Sequence, residues 1–209
     1  MNSDEREFMN ELDRRQQEAN NINTHWRVSG EEFDRAFDLG RRSWSRVMLN
    51  YHRFTQHDFY NFNFREADLD GCIFENMNLR SVSFDGASLH EAYFKDCNLS
   101  EVGWSRTDLT RTKFINCDLS GIGLDQINIR CVTGLKVVGP VGRAGRNIVG
   151  YVYDGEIRIQ AGCRNDKSNG IRAAVREEYA YDLMNQADYY DAIKLLEAWG
   201  KREIKRLKG

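Results

Sequence analysis

From Phe54 onward a large apolar residue stands at every fifth place, through Phe59, Phe64, Leu69, Phe74, Leu79, Phe84, Leu89, Phe94, Leu99, Trp104, Leu109, Phe114, Leu119 and Leu124 to Ile129. From Phe62 onward a small or apolar residue stands two places before each, such as Ala67, Cys72, Met77, Val82, Ala87, Ala92, Cys97 and Cys117, while the remaining places are mostly Asp, Asn, Ser, Arg, Glu and Gly. A helix would spread these residues around its circumference, and a flat strand would send alternate ones to opposite faces. A coil with four sides of five residues points the same two residues of each side inward and leaves three outside. From Phe64 to Leu119 aromatic residues and Leu alternate, so the aromatic period is ten. In such a coil this predicts a column of Phe64, Phe84 and Trp104 facing a column of Phe54, Phe74, Phe94 and Phe114, with successive rings about 4.8 Å apart.

The runs "ADLDG", "MNLRS", "ASLHE", "CNLSE", "TDLTR" and "CDLSG" resemble the pentapeptide-repeat family, whose unit is written A(D/N)LXX. The resemblance covers residues 54–131 and implies a right-handed quadrilateral β-helix of about four coils, a rod of about 20 Å.

An open-ended solenoid needs capping, and residues 1–53 suit that role. Ser29 and Glu32 make a capping-box pattern before Phe33, Phe37, Gly40, Trp44, Val47, Met48 and Tyr51, spaced as one helical face. A weaker amphipathic helix carries Phe8, Leu12, Ala19 and Ile22, with Ser3 as its expected N-cap. A terminal cap or a dimer contact is the expected use of both.

Beyond residue 131 the register stops, and residues 132–209 read as a small α+β domain. Gly-rich "VVGPVGRAGRN" reads as an exit loop, "IVGYVYDGEIRIQAG" as a hairpin turning at Asp154-Gly155, and the rest as two helices. Ser168 is the expected cap of the first, which carries Ile171, Ala174, Val175 and Tyr179. The second carries Tyr189, Ile193, Leu196, Ile204 and Leu207, with Gly200 a weak point. "GPVGR", then "AGCR", and a closing helix with Tyr189 and Tyr190 resemble the C-terminal domain of many phage and prophage pentapeptide-repeat proteins; polar "RNDKSNG" departs from that pattern. The expected fold is mainly β, a β-helix with a helical N-terminal cap and an α+β tail.

Charge changes the picture only along the chain. The net charge of −2 conceals −5 over residues 54–131, with seven basic and twelve acidic side chains, and +4 over residues 132–209, with fourteen and ten. An acidic rod and a basic tail each suit a partner of opposite sign, and equally suit plain solvation. The resemblance adds that some family members inhibit bacterial type II topoisomerases by imitating duplex DNA. In this rod Arg65, Arg80, Arg106, Arg111, Lys113 and Arg130 interrupt the negative face.

Catalytic chemistry finds no footing. His25, His52, His57 and His90 lack metal-ligand spacing, with His52 and His57 at inward places near the first coil, and no nucleophile elbow, phosphate loop or dinucleotide fingerprint occurs. The odd set of cysteines, without a CxxC pair, reads as thiols; Cys97 and Cys117, twenty apart, are expected to stack as core fillers. Neither a cofactor nor a metal is expected. The sharpest candidate site is an anion- or partner-binding pocket of Gly142, Arg143, Arg146, Arg158, Gly162, Cys163 and Arg164, where glycine N–H groups and guanidiniums would meet a phosphate or carboxylate. The same glycines equally serve an exit from the rod.

A non-enzymatic binding protein of phage or prophage type follows, acting on a host cytoplasmic protein, with the rod as spacer or acidic mimic. The alternative is sequestration of an anionic small molecule or nucleotide by the tail; a structural assembly protein is third. A homo-dimer through the helices is compatible with both, direct nucleic-acid binding is not expected, and the acidic N-terminus and absence of a long apolar run place the chain in the cytoplasm, off the membrane.

Overall fold

A computed structural model describes residues 1–55, 58–123, 127–142, 145–162 and 164–208. His57, Leu124, Arg143 and Cys163 lie outside these described residues. In chain order the elements are α1 (Ser3–Asn21), β1 (Trp26–Arg27), α2 (Gly30–Asp38), β2 (Val47–Met48), β3 (Arg53–Thr55), β4 (Ile73–Glu75), β5 (Tyr93–Lys95), β6 (Lys113–Ile115), β7 (Leu135–Val141), β8 (Arg146–Tyr153), β9 (Glu156–Ala161), β10 (Arg164–Lys167), α3 (Ser168–Glu178) and α4 (Leu183–Lys208).

The five-residue period produces a four-sided β-helix. Each coil pairs in parallel with the residue twenty places on: Phe54 opposite Phe74, Phe74 opposite Phe94, Phe94 opposite Phe114 in the ladder β3–β4–β5–β6, and single bridges such as Asn63–Ser83 and Asp68–Ser88 on the other sides. The corners fall two residues after each large apolar residue and lie in the left-handed region, with φ of 55° at Glu66, 56° at Asn76, 59° at Glu101 and 60° at Arg111. That conformation is unfavourable for L-residues taken singly; at these corners it is held by inter-coil hydrogen bonds, such as the Glu66 N–H on the Asp85 carbonyl and the Arg111 N–H on the Arg130 carbonyl.

Inside, the two aromatic columns form as the spacing predicts. Phe54, Phe74, Phe94 and Phe114 stack at 4.7, 4.6 and 5.2 Å, and Phe64, Phe84 and Trp104 at 5.7 and 5.4 Å. Across the rod the columns meet edge to face, as Phe74 meets Phe84 at 6.0 Å and 74°, the geometry that ring quadrupoles favour.

The rod begins earlier than residue 54. Trp44 and Leu49 continue the every-fifth register, Ser43 bridges Asn63, and Trp26 pairs with Val47 beneath them. The expected helix through Tyr51 therefore stops at Asp38. Its capping box is present, with the Glu32 N–H donating to Ser29 Oγ and the Ser29 N–H to the Glu32 carboxylate. Trp44 and Val47 are buried as rod residues and Tyr51 is exposed. Phe33 of α2 plugs the open end, 4.5 Å from Trp44 and 5.2 Å from Phe54. On α1 the cap is Asn2, in a capping box with Glu5, rather than Ser3, and Ile22 lies exposed past the last turn. Buried Arg41 fastens α1 to the rod: its guanidinium lies over the parallel rings of Trp26 and Trp44, at 5.3 and 5.0 Å, and donates to Asp13 and Gln16.

The tail holds a four-stranded antiparallel sheet in the order β10-β9-β8-β7, twice the strands expected. The exit loop is in fact β7, which pairs with β8 along Leu135–Tyr151 to Val138–Ile148. Leu135, Val149 and Tyr151 join the rod core, while Ile148, Ile159 and Val141 face α3 and α4. The sheet is thus a middle layer, apolar on both faces. Ser168 is the first residue of α3, not its cap; Lys167 occupies that place without a side-chain bond. Gly200 is a close-packing position rather than a weak point, since a Cβ there would stand 2.4 Å from Ile157 Cγ1.

Cys72, Cys97 and Cys117 are free and buried, and Cys131 is free and exposed. Burial raises the Cys72 thiol to about 12 and pushes up that of Cys117, which stacks on Cys97. Iodoacetamide is expected to modify Cys131 in the folded chain and to spare these three until urea unfolds it. Mass mapping of the four sites checks this, and Cys97 labelled as fast as Cys131 would contradict the packing.

Candidate functional site

Among the described residues, three surfaces combine exposed chemistry with a fixed shape. The first is part of the expected anion site. The β7–β8 turn and the β9–β10 turn lie at the same end of the sheet, because antiparallel pairing returns Ala161 to Ile148. Arg146 and Arg164 thereby line one notch with Glu178, Tyr179 and Tyr189. Arg146 passes over Gly162, whose absent Cβ would sit 3.4 Å from a guanidinium nitrogen. Gly142, at φ 65°, abuts Tyr189 and Asn185 in the same way.

Arg158 does not join them. It lies opposite Tyr151, between Ile157 and Ile159, so strand alternation sends it to the rod side of the sheet, where it pairs with Glu156 at 3.5 Å. The notch is small, about 20 Å³, which is room for about one water-sized group. Tyr179 and Tyr189 stack at 5.3 Å on its wall, and the hydrogen bond to Tyr189 raises the Tyr179 phenol to about 12.

The second surface is the turn between α3 and α4. Tyr181 is fully exposed, Leu183 is 73% and Met184 77% exposed, three apolar contacts for a partner on either side of Asp182. The turn is held in shape: Asp182 donates its N–H to the Tyr179 carbonyl, and its carboxylate accepts from the Asn185 N–H at 3.2 Å and side-chain amide at 2.7 Å. Sequence reading misses this tip because its apolar residues fall outside both helical stripes; that misfit is itself the signal.

The third is an open polar groove of about 620 Å³ where the rod meets the β8–β9 hairpin, bordered by Tyr60, Asn76, Asn98, Asn116 and Tyr153. Reading the repeats in twenties rather than fives exposes its Asn columns in the sequence.

Among the described residues, five arginine–carboxylate pairs run between coils of the rod. Arg46 meets Glu66 at 2.7 Å, Arg80 meets Glu101 at 2.8 Å, Arg111 meets Glu91 at 2.9 Å, Arg65 meets Asp85 at 3.8 Å, and Arg53 meets Glu75. Exposed pairs of this kind add about 0–1 kcal/mol each to stability, and each neutralises the carboxylate it meets. Among the described residues no cluster of His, Cys, Asp or Glu is arranged to hold a metal ion, and no helix is long and apolar enough to cross a membrane.

A family profile described as pentapeptide repeat region matches residues 47–124. No curated protein matches the chain. Solved structures similar to it include HetL, a pentapeptide repeat protein involved in heterocyst differentiation regulation from the cyanobacterium Nostoc sp. strain PCC 7120, at 20% identity over 43% of this chain and 39% of that one, with a TM-score of 0.27. A pentapeptide repeat protein of the Arabidopsis thaliana thylakoid lumen is 19% identical over 46% and 63%, TM-score 0.30, and QnrB1, a plasmid-mediated fluoroquinolone resistance protein, 18% over 54% and 48%, TM-score 0.32. The chain thus spans less than two thirds of the length of each. The profile match and the unbroken five-residue register together make residues 47–124 of this chain a pentapeptide-repeat region.

Proposed function

We propose that this chain is a non-enzymatic binding protein, of the phage or prophage type that its tail resembles, which grips a host cytoplasmic protein through the Tyr181–Leu183–Met184 tip and blocks it. The observation that carries this reading is the exposure of three apolar side chains on a turn already fixed by Asp182. A preorganised turn loses little conformational freedom on docking, which favours affinity. The rod acts as a rigid spacer; its inter-coil ion pairs argue against a DNA-like negative face.

The test is to capture the partner, produce it recombinantly, and compare its affinity for the native chain and for the Tyr181→Ser/Leu183→Ser/Met184→Ser variant. A loss of about a hundredfold or more is expected, since central apolar contacts contribute about 2 kcal/mol or more each. Equal binding by the variant, or loss only on reversing rod charges, would remove the tip from the interface. Convergence of Arg146 and Arg164 favours a second reading, in which the notch receives one carboxylate or phosphate group of a partner or small molecule.

A further inference from the structure

We infer that the polar groove between the rod and the β8–β9 hairpin is a binding site for a short neutral saccharide, separate from the tip and from the arginine notch. The groove is built from columns that repeat with the coils. Asn76, Asp96 and Asn116 form one, Asn78 and Asn98 a second, and successive members stand about 4.8 Å apart, so the floor from Asn76 to Asn116 is about 10 Å long. Tyr60, 57% exposed, and Tyr153 of β8 stand beside it.

The chemistry of these groups selects the ligand. Asn116 is fixed on both sides, its amide donating to Asp96 at 2.7 Å and its carbonyl accepting from the Asp154 N–H at 2.8 Å. Asn98 holds the Ser100 N–H and hydroxyl with its carbonyl oxygen, at 3.0 and 2.6 Å, which turns its NH₂ toward other acceptors. Asn76 presents an exposed amide and Asp96 a second carboxylate oxygen. Alternating donors and acceptors on a fixed lattice suit a row of hydroxyls, each of which both donates and accepts, and tyrosine rings supply the flat apolar faces against which pyranose C–H edges pack.

Other ligand classes fit poorly. Among the lining residues an anion would find one cation, Arg80, whose Nε and Nη2 already donate to Glu101 at 3.1 and 2.8 Å, and would face Asp96. An extended peptide would need a free strand edge, but the rod backbone here is consumed between coils, Leu79 N–H on the Asn98 carbonyl at 2.9 Å and Asn98 N–H on the Met77 carbonyl at 3.0 Å. Its apolar floor residues, Met77 and Cys97, are buried.

The experiment is NMR titration of the full chain with maltose, cellobiose and N,N′-diacetylchitobiose, and with inorganic phosphate and AMP as anionic controls, reading the Asn76, Asn98 and Asn116 side-chain amides. At least one disaccharide is expected to shift these amides, with a dissociation constant raised about tenfold by Asn76→Ala or Tyr60→Ala, the loss of one hydrogen bond or one ring contact. Both side chains are exposed; because Asn76 sits at a left-handed corner, urea unfolding of each variant checks that its fold is kept, and the triple tip variant is expected to bind the disaccharide unchanged. Silence of the three amides across all three disaccharides, equal binding by the two groove variants, or shifts with phosphate or AMP would overturn the assignment. None of these outcomes bears on whether the tip holds a protein partner.

Discussion

Replacing Phe84 by alanine is expected to lower the stability of the chain by about 3–5 kcal/mol, the range for removing a buried phenyl ring. Phe84 is completely buried, stacks on Phe64 and Trp104, and meets Phe74 and Phe94 edge to face at 6.0 and 6.2 Å. Four ring contacts vanish together, and parallel ladders above and below prevent the coils from closing on the void. In a solenoid each layer is held by its neighbours, so a gap in the middle separates two short stacks that are each less stable alone. Urea unfolding followed by tryptophan fluorescence reads the effect, with Trp104 stacked directly on the site. Tyr60→Ala, on the surface of the same rod, is the control and is expected to change stability by no more than about 0.5 kcal/mol. A loss below about 1.5 kcal/mol for Phe84→Ala would mean that the column is not continuous there.

Gly134→Ala is expected to cost on the order of 3 kcal/mol, through collision and backbone strain together. Gly134 follows the last bridge of the ladder, Lys113–Thr133, and turns the chain from the rod into β7. Its φ is 92°, and a Cβ would lie 1.8 Å from the Phe114 carbonyl oxygen and 2.7 Å from its carbon. Both atoms are backbone of the rod and cannot swing aside. Gly155→Ala separates the two contributions: φ there is 68° with nothing within 4 Å, so only the left-handed penalty of about 1–2 kcal/mol applies. Equal losses for the two variants, measured by urea unfolding, would show that the rod end yields to the added methyl.

The core of the rod is legible in the sequence because every side repeats the same inward pair, and a period of five has no other compact solution. Its lower end is not. Trp44 and Leu49 fit the five-residue register, yet Trp44, Val47, Met48 and Tyr51 fit a helical stripe equally well. The choice is made by corners at Arg46 and Tyr51, with φ of 57° and 60°, a conformation that neither residue type announces. Strand β7 is hidden for a different reason: Gly139 and Pro140 are breaker residues, and only the alternation of Leu135 and Val137 against Val138 marks a strand facing two cores. At the arginine notch the hairpin turn suffices to bring Arg146 near Gly162 and Arg164. Placing Arg158 needs the parity of its strand, which Ile157 and Ile159 fix once the helices are known to cover them.

Ladder bonds and ion pairs alike run from a residue to a partner about twenty places on, as Arg46 to Glu66 and Arg111 to Glu91 do. Adding one five-residue unit would therefore rotate everything above it by a quarter turn, setting phenyl columns over leucine columns and placing each arginine over a stranger. Adding twenty would leave every vertical partnership intact. The heritable unit of lengthening in this rod is the full circuit, and its surface chemistry can drift only in columns.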